Sequence, residues 1–480
     1  MTGGTARPPA RISVHGVAAS TAPPAAGPGP GLVGHWSALA VVTATLFCAR
    51  FVAIGADTYW AVALGREILR DGSIPDGIPF AAAASSGWPN VPVLGELVLA
   101  GLDVVGPIGI VAAQLLLNAT ALVLLALGTR RAGASDGATS VALALVAIGA
   151  LPALASVKMQ FLSLALFPVL LLLLRADHRR PSHRIWWAVL VIVVWGNLHG
   201  AVILGVAVTG AYLLFSRLRR SPVETLAVGL ATLLAVGANP ALLGTVQYYV
   251  GVLANEAARR GTELWARPNP GNLFDLLLIV TGVVLVVLAL WSRPPLWEVV
   301  AILGLLAGTI SSARHGVWLL MFCATPAAVR LTRRHDTTGA RSSPTLPLVA
   351  GLVLVLGCAG LLSSRQDALN PSGDPELFRV VKSAAHGRVV LADEPVVESL
   401  AAEGVRIWLS NPIDAFQRSD QAAYLDFVSG AVTGNSEALV DAAEVVVVRA
   451  GGPADGLVST DAGFAPERSV AGWTVYTRVR

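Results

Sequence analysis

Apolar residues fill the chain in long blocks, and the polar residues gather between them. The blocks run to about 14–24 residues and are separated by arginine clusters, a pattern that predicts helices crossing a membrane many times. Arginines cluster at Arg130-Arg131, at Arg175 with Arg179, Arg180 and Arg184, and at Arg217 with Arg219 and Arg220. Arg293 marks another break, and Arg330, Arg333, Arg334 and Arg341 the last. Short loops rich in arginine belong on the cytoplasmic side. Placing every cluster there predicts spans at about 36–55, 107–129, 138–156, 160–174, 185–198, 200–216, 223–238, 273–291, 295–310, 316–329 and 345–363. These are eleven, an odd number, which puts the N-terminus inside and the C-terminal segment outside. The inner segments then hold 16 basic and 5 acidic residues, against 8 and 9 in the outer segments before residue 364.

Several of these blocks are shorter than the roughly 20 helical residues that a hydrocarbon layer requires. The stretch 185–216, IWWAVLVIVVWGNLHGAVILGVAVTGAYLLFS, has arginines at both ends. A single helix would separate those ends across the membrane, so a hairpin turning at Asn197-Leu198-His199-Gly200 is expected. Polar residues at that depth require a cavity lined by protein or water, and the expected cavity opens to the outside.

Two outer segments precede the tail. In 56–106, DTYWAVALGREILRDG reads as an amphipathic helix along the interface. VPVLGELVLAGLDVVG, with Glu96 and Asp103, is too short to cross and reads as a re-entrant or interfacial helix. The second segment, 239–272, carries Tyr248, Tyr249, Trp265 and Arg267, with Arg259, Arg260 and Glu263 expected on a solvated helix face. From about 364 the pattern changes. GRVVLAD, VRIWLS, EVVVVRA and WTVYTRV are strand-like, and EPVVESLAAEG, DQAAYLDFVSG and SEALVDAA helix-like, enough for a small α/β domain over 364–480. Residues 1–34, rich in Pro, Ala and Gly, read as a disordered cytoplasmic tail rather than a signal peptide.

Composition sharpens this picture. The 480 residues are 54% hydrophobic and 13% charged, about half the charge of an ordinary soluble domain. A soluble enzyme, a disordered chain and a basic nucleic-acid binder are excluded. The net charge of +4 splits into +10 for residues 1–363, with 24 basic and 14 acidic side chains, and −6 for 364–480, with 10 and 16. Cys48, Cys323 and Cys358 lie in apolar stretches with neither disulfide nor zinc spacing and read as small apolar residues.

Four polar residues interrupt the apolar blocks at predicted outer ends: Asp57, Lys158, His199 and Arg314. Asp57 suits the cap of the helix it precedes, or a general base. Arg314, with His315 beside it, suits a phosphate, because a guanidinium fork matches phosphate oxygens. The alternative is an arginine snorkelling to headgroups. His199 reads either as a functional group, a phosphate ligand or proton carrier, or as a buried histidine bonded to backbone, and Lys158 with Gln160 carries the same choice between a functional and a structural reading. Asp76 and Glu96 are possible second acids, more plainly structural. No spacing supports a metal site, and a divalent ion on Asp57 has no sequence support.

The order of first span, Asp57, interfacial helix, re-entrant helix and further spans resembles the C-fold (GT-C) glycosyltransferases, a superfamily that includes protein O-mannosyltransferases and aminoarabinose transferases. The pieces DTYWAVALGREILRDGSIP, WGNLHG, ANPALLG, ELWARP and SARHGVWL, followed by an outer α/β domain, are similar to a group of bacterial polytopic members. The resemblance spans about 36–480. It implies a bacterial inner-membrane enzyme that takes a sugar from a polyprenyl-phosphate donor to a cell-envelope acceptor. Asp57 is then the base, and Arg314, His199 or Lys158 steadies the departing phosphate. The chain departs from the pattern at Thr58, where characterised members often carry a second acid. It departs again at Ala61 and Ile78, where the bacterial group usually has His and an acid. A catalytically inactive member serving as an envelope assembly or partner-binding protein is the alternative. A transporter is disfavoured, since no paired Gly/Pro-broken helices recur in the two halves.

Overall fold

The computed structural model describes residues 1–4, 34–262, 265–332 and 345–479. The tail expected over 1–34, together with Glu263, Arg333, Arg334 and Arg341, lies almost wholly outside the described residues. The molecule is a mostly helical, polytopic membrane protein. Each of the eleven segments read as spans contains an apolar helix: His35–Phe51, Pro107–Arg131, Asp136–Gly149, Leu166–Arg179, Trp186–Leu198, Val202–Tyr212, Pro222–Val236, Leu273–Trp291, Leu296–Ser311, Gly316–Leu331 and Leu346–Ser363. Four helical segments are long and apolar enough to cross a membrane by length and composition: Pro107–Arg131, Met159–Arg179, Leu273–Trp291 and Leu346–Ser363.

Local chemistry sets the helix ends. Pro107 and Pro222 open their helices, where a missing N–H costs nothing. Asn272 accepts from the backbone of Phe274 at 2.9 Å and of Asp275 at 3.3 Å, satisfying donors that the helix itself cannot.

The hairpin is present. Leu198 ends one helix and Val202 begins the next. A Cβ added at Gly205 would lie 2.7 Å from the Trp195 ring, although ten residues along a straight helix span about 15 Å. The chain has turned back on itself, and the glycine lets the two helices close. Asn197 stays satisfied at the turn, donating to the carbonyls of Val193 at 2.9 Å and Ala238 at 2.8 Å.

The body is centred on aromatic rings: Trp195 and Phe167 each pack near Trp318, with centroids 5.3 Å apart in both pairs. At the end of the bundle away from the hairpin turn, charges are buried in pairs. Arg175 donates to Glu298 at 2.9 Å, and Arg217 bonds Asp177 and Glu224. Outward side chains such as Leu230, Leu234, Leu352 and Leu356 are exposed, as helices facing lipid require.

Residues 375–478 build a four-stranded sheet with helices packed on it. Strand β3 (Val390–Ala392) runs parallel to β4 (Val445–Arg449), and β6 (Trp473–Arg478) pairs antiparallel with both β4 and β5 (Phe464–Val470). VRIWLS, expected as a strand, contributes only Ile407, which bridges Val390 on one side and Ala81 on the other. This unit is stitched to both long loops. Ala82 and Ala83 donate to the carbonyls of Ile407 and Trp408, each at 2.9 Å, and the Glu256 backbone donates to Gln421 at 2.8 Å. Arg260, expected on a solvated face, instead pairs with Asp426 of this unit at 2.6 Å.

Candidate active site

A two-residue parallel strand pair positions the first groups. Strand β1 (Ala53–Ile54) pairs with β2 (Ser156–Val157), residue 53 to 156 and 54 to 157. The Val157 carbonyl accepts from the Gly55 backbone at 2.8 Å and from the Thr58 hydroxyl at 3.0 Å. A Cβ at Gly55 would sit 3.0 Å from that same oxygen, a tight contact that glycine avoids. The chain leaves β1 into the helix Ala56–Asp71, with Asp57 in its first turn, and leaves β2 directly into Lys158. Carboxylate and ammonium are therefore delivered side by side from segments about a hundred residues apart. Gly55, not Asp57, is the N-cap. Neither Asp57 nor Lys158 has a hydrogen bond or ion pair among the described residues.

Three adjoining cavities meet here. The first, about 360 Å³, is lined by Asp57, Lys158, Trp265, Glu394 and Asn411 among others. The second, about 350 Å³, lies between the ends of apolar helices and includes Lys158, Gln160, Leu278, Arg314 and Val317. The third, about 140 Å³, takes in Asp57, Trp88, His199, Tyr248, Arg314 and Asp414. Asp57 belongs to the first and third, Lys158 to the first and second, and Arg314 to the second and third.

Arg314 stands on the short turn Ala313–His315 and lies over the Trp265 ring, 4.4 Å from its centroid. Burial lowers its pKa, while Asp57 and Tyr248 raise it, and a guanidinium remains charged through such shifts. His199 is neutral: burial, then Arg314, brings its pKa down to about 3. Its Nδ1 accepts from the Ala201 backbone at 3.1 Å, which leaves Nε2–H as the donor. The imidazole thus offers a hydrogen bond rather than a charge.

The other expected residues lie elsewhere. His315 donates from Nδ1 to the Gly308 carbonyl at 3.0 Å and does not line these cavities. Asp76 accepts from the Gly87 backbone at 2.6 Å and holds a loop. Glu96 is fully buried and accepts from Asn90 at 2.8 Å. Its pKa is pushed up to about 8 by burial, against the lowering effect of Asn90. Glu96 Oε1 and Asn90 Oδ1 have no partner among the described residues, an arrangement suited to a carboxyl that keeps its proton.

The sequence reading did not anticipate the wall from the C-terminal unit. Asn411 donates to Glu394 at 3.3 Å and to Glu398 at 3.1 Å, and Asp414 accepts from the Trp88 indole at 3.0 Å. Burial, aided by Asp57, pushes the Glu398 pKa up to about 8, and burial pushes Asp414 to about 6. Among the described residues no group of three His, Cys, Asp or Glu is arranged to hold a metal ion.

The apolar helical body with a polar cavity at one end, closed by two long loops and a C-terminal α/β unit, shares its fold with solved structures. The chain is similar over 92% of its length to the crystal structure of ArnT from Cupriavidus metallidurans bound to undecaprenyl phosphate, covering 97% of that chain at 13% identity and a TM-score of 0.55. The apo crystal structure of the same protein matches over the same shares, at 12% identity and a TM-score of 0.54. No family model matches the sequence, and no curated protein matches it.

Proposed function

We propose that this protein transfers a sugar from a polyprenyl-phosphate donor to a cell-envelope acceptor at the outer face of the bacterial inner membrane. In this reading the N-terminus is cytoplasmic, eleven helices cross, and the 364–480 region lies outside. The observation that carries the proposal is the convergence of Asp57, Lys158 and Arg314, each shared between two of three adjoining cavities. The likeness to a structure holding undecaprenyl phosphate supports the lipid-linked donor.

The second cavity suits a prenyl phosphate, with apolar helix ends for the chain and Lys158 and Arg314 for the anion. An acceptor hydroxyl entering from the first cavity attacks the anomeric carbon. As the new carbon–oxygen bond forms, Asp57 takes the hydroxyl proton and the bond from carbon to phosphate oxygen breaks. The electron pair leaves with the polyprenyl phosphate, whose charge the two cations hold; such placed charges are worth about 10²–10³ in rate. His199 adds a neutral donor.

The test is mass spectrometry of polyprenyl-linked lipids in wild type, a deletion strain, and the deletion complemented with Asp57→Asn. One lipid-linked sugar should accumulate in both the deletion and the Asp57→Asn strain. Accumulation in the deletion alone sinks the role given to Asp57, and three matching profiles sink the transferase reading and leave the assembly-protein alternative.

A further inference from the structure

A narrow groove lies at the other end of the bundle, away from the three cavities and among the buried charge pairs. Its walls are the helices Pro107–Arg131 and Leu166–Arg179, through Leu124, Gly128, Leu172, Arg175 and Arg179, and Thr325 of Gly316–Leu331 closes it. Arg175 is satisfied, donating to Glu298 and to the Phe322 carbonyl, each at 2.9 Å. Arg179 feels the charges of Arg175, Arg131 and Glu298, and Glu298 is already engaged by Arg175. Neither Arg179 nor Arg131 has a hydrogen bond or ion pair among the described residues. Both helices end here on their carbonyls, each end equivalent to about half a negative charge. Two whole arginine charges outweigh those ends, so the mouth of the groove is positive and unbalanced.

Thr325 supplies a second observation. Thr209, Thr232, Thr281 and Thr309 each give their hydroxyl to the carbonyl one turn back, at 2.7 or 2.8 Å. Thr325 is buried in a helix of the same kind, yet its Oγ1 has no partner among the described residues. A Cβ at Gly128 would stand 3.7 Å from that oxygen, so the glycine leaves the hydroxyl open to the groove. A buried hydroxyl without a partner is costly, and an incoming oxygen atom relieves the cost.

Size decides the class of ligand. The free space is about 10 Å³, room for roughly one water molecule, so a dissolved anion cannot be enclosed. A lipid need not be. Its chain can lie along the half-buried Leu124 and Leu172, and only its headgroup meets the arginines.

We propose that this groove binds one anionic phospholipid, with its phosphate on Arg179 and Arg131, a headgroup or ester oxygen on Thr325, and an acyl chain against Leu124 and Leu172. The site is separate from the donor cavity, and the inference does not rest on the transferase reading.

The test is native mass spectrometry of the full chain in detergent, titrated with phosphatidylglycerol, phosphatidylcholine or inorganic phosphate. It is run on the parent chain and on Lys158→Ala, which removes a cation from the donor cavity. One phosphatidylglycerol should stay bound in both, with the other two probes at least about tenfold weaker. General attraction to an anionic lipid is worth roughly fivefold per basic residue, and Arg180→Gln, in the same cluster but outside the groove, sets that level. Arg179→Gln should weaken phosphatidylglycerol binding by at least about tenfold, and by more than Arg180→Gln does. Thr325→Val, near in shape and lacking only the unpartnered hydroxyl, should weaken it about threefold while melting no lower than the parent without added lipid. The proposal is overturned if phosphatidylcholine binds as well as phosphatidylglycerol, if Arg179→Gln loses no more than Arg180→Gln, or if Lys158→Ala abolishes the binding. Inorganic phosphate held as tightly as the lipid, and lost in Arg179→Gln, makes this a site for a soluble anion and overturns the lipid assignment.

Discussion

Asp57 is held in place without being used up. A short strand pair holds the backbone just before it, and its carboxylate has no hydrogen bond or ion pair among the described residues, as the proposed transfer requires of its base. Asp57→Asn should therefore lower transfer at least about 10²-fold, the usual worth of a placed general base, with protein levels unchanged in immunoblots. Arg314→Lys keeps a positive charge but loses both the fork and the stacking on Trp265. Transfer measured with purified donor should fall more than tenfold. Glu96 predicts a pH dependence of stability. Its folded pKa of about 8 lies above the ordinary 4.5, so the stabilisation is full below that ordinary value and drains away as pH rises through about 8. Glu96→Gln should melt progressively higher relative to the parent chain between pH ~5 and pH ~9, and parallel melting curves would refute this. Asp57, Lys158, His199 and Arg314 could be found in the sequence because each breaks an apolar block, where a polar group has to be explained. Glu394, Asn411 and Asp414 could not, because acids and amides are ordinary in a segment that looks soluble.

Among the elements, the apolar helices were legible and the C-terminal strands only partly so. A hydrophobic block between arginines has one physical solution, and the hairpin followed from the charge at its ends. Gly205 makes that hairpin testable. Gly205→Leu drives a side chain into Trp195, which lies 2.7 Å from the first added carbon. It should destabilise the body by about 1–3 kcal/mol, read as a lower melting temperature in detergent, while Gly210→Leu, where nothing lies within 4 Å of an added Cβ, should not. FAPERSV escaped notice as β5 because Pro466 and three polar neighbours hide its pattern; an edge strand tolerates proline. VRIWLS has the alternation of a strand, yet its backbone is divided between β3 and the loop near Ala81. Pairing across distant segments leaves no mark on local periodicity.

At the scale of the whole molecule, the split between a basic body and an acidic tail has a structural counterpart. The tail rests on both long loops and places one of its carboxylates beside a cation of the body. Arg260 and Asp426 form one fastening, with Arg260 partly exposed. Arg260→Glu or Asp426→Arg alone should loosen the docking by up to about 1 kcal/mol, seen as faster proteolytic release of the C-terminal unit. The double exchange should restore the parental rate. The strand pair β1–β2 has a further consequence at this scale. Asp57 and Lys158 each follow closely on this pair, so their backbones are held in register with one another. They act as the fixed jaw of a vice. Any tightening around a substrate falls to the opposing jaw, the turn that carries Arg314 and the wall that carries Asn411. These two pieces are supplied by different parts of the chain.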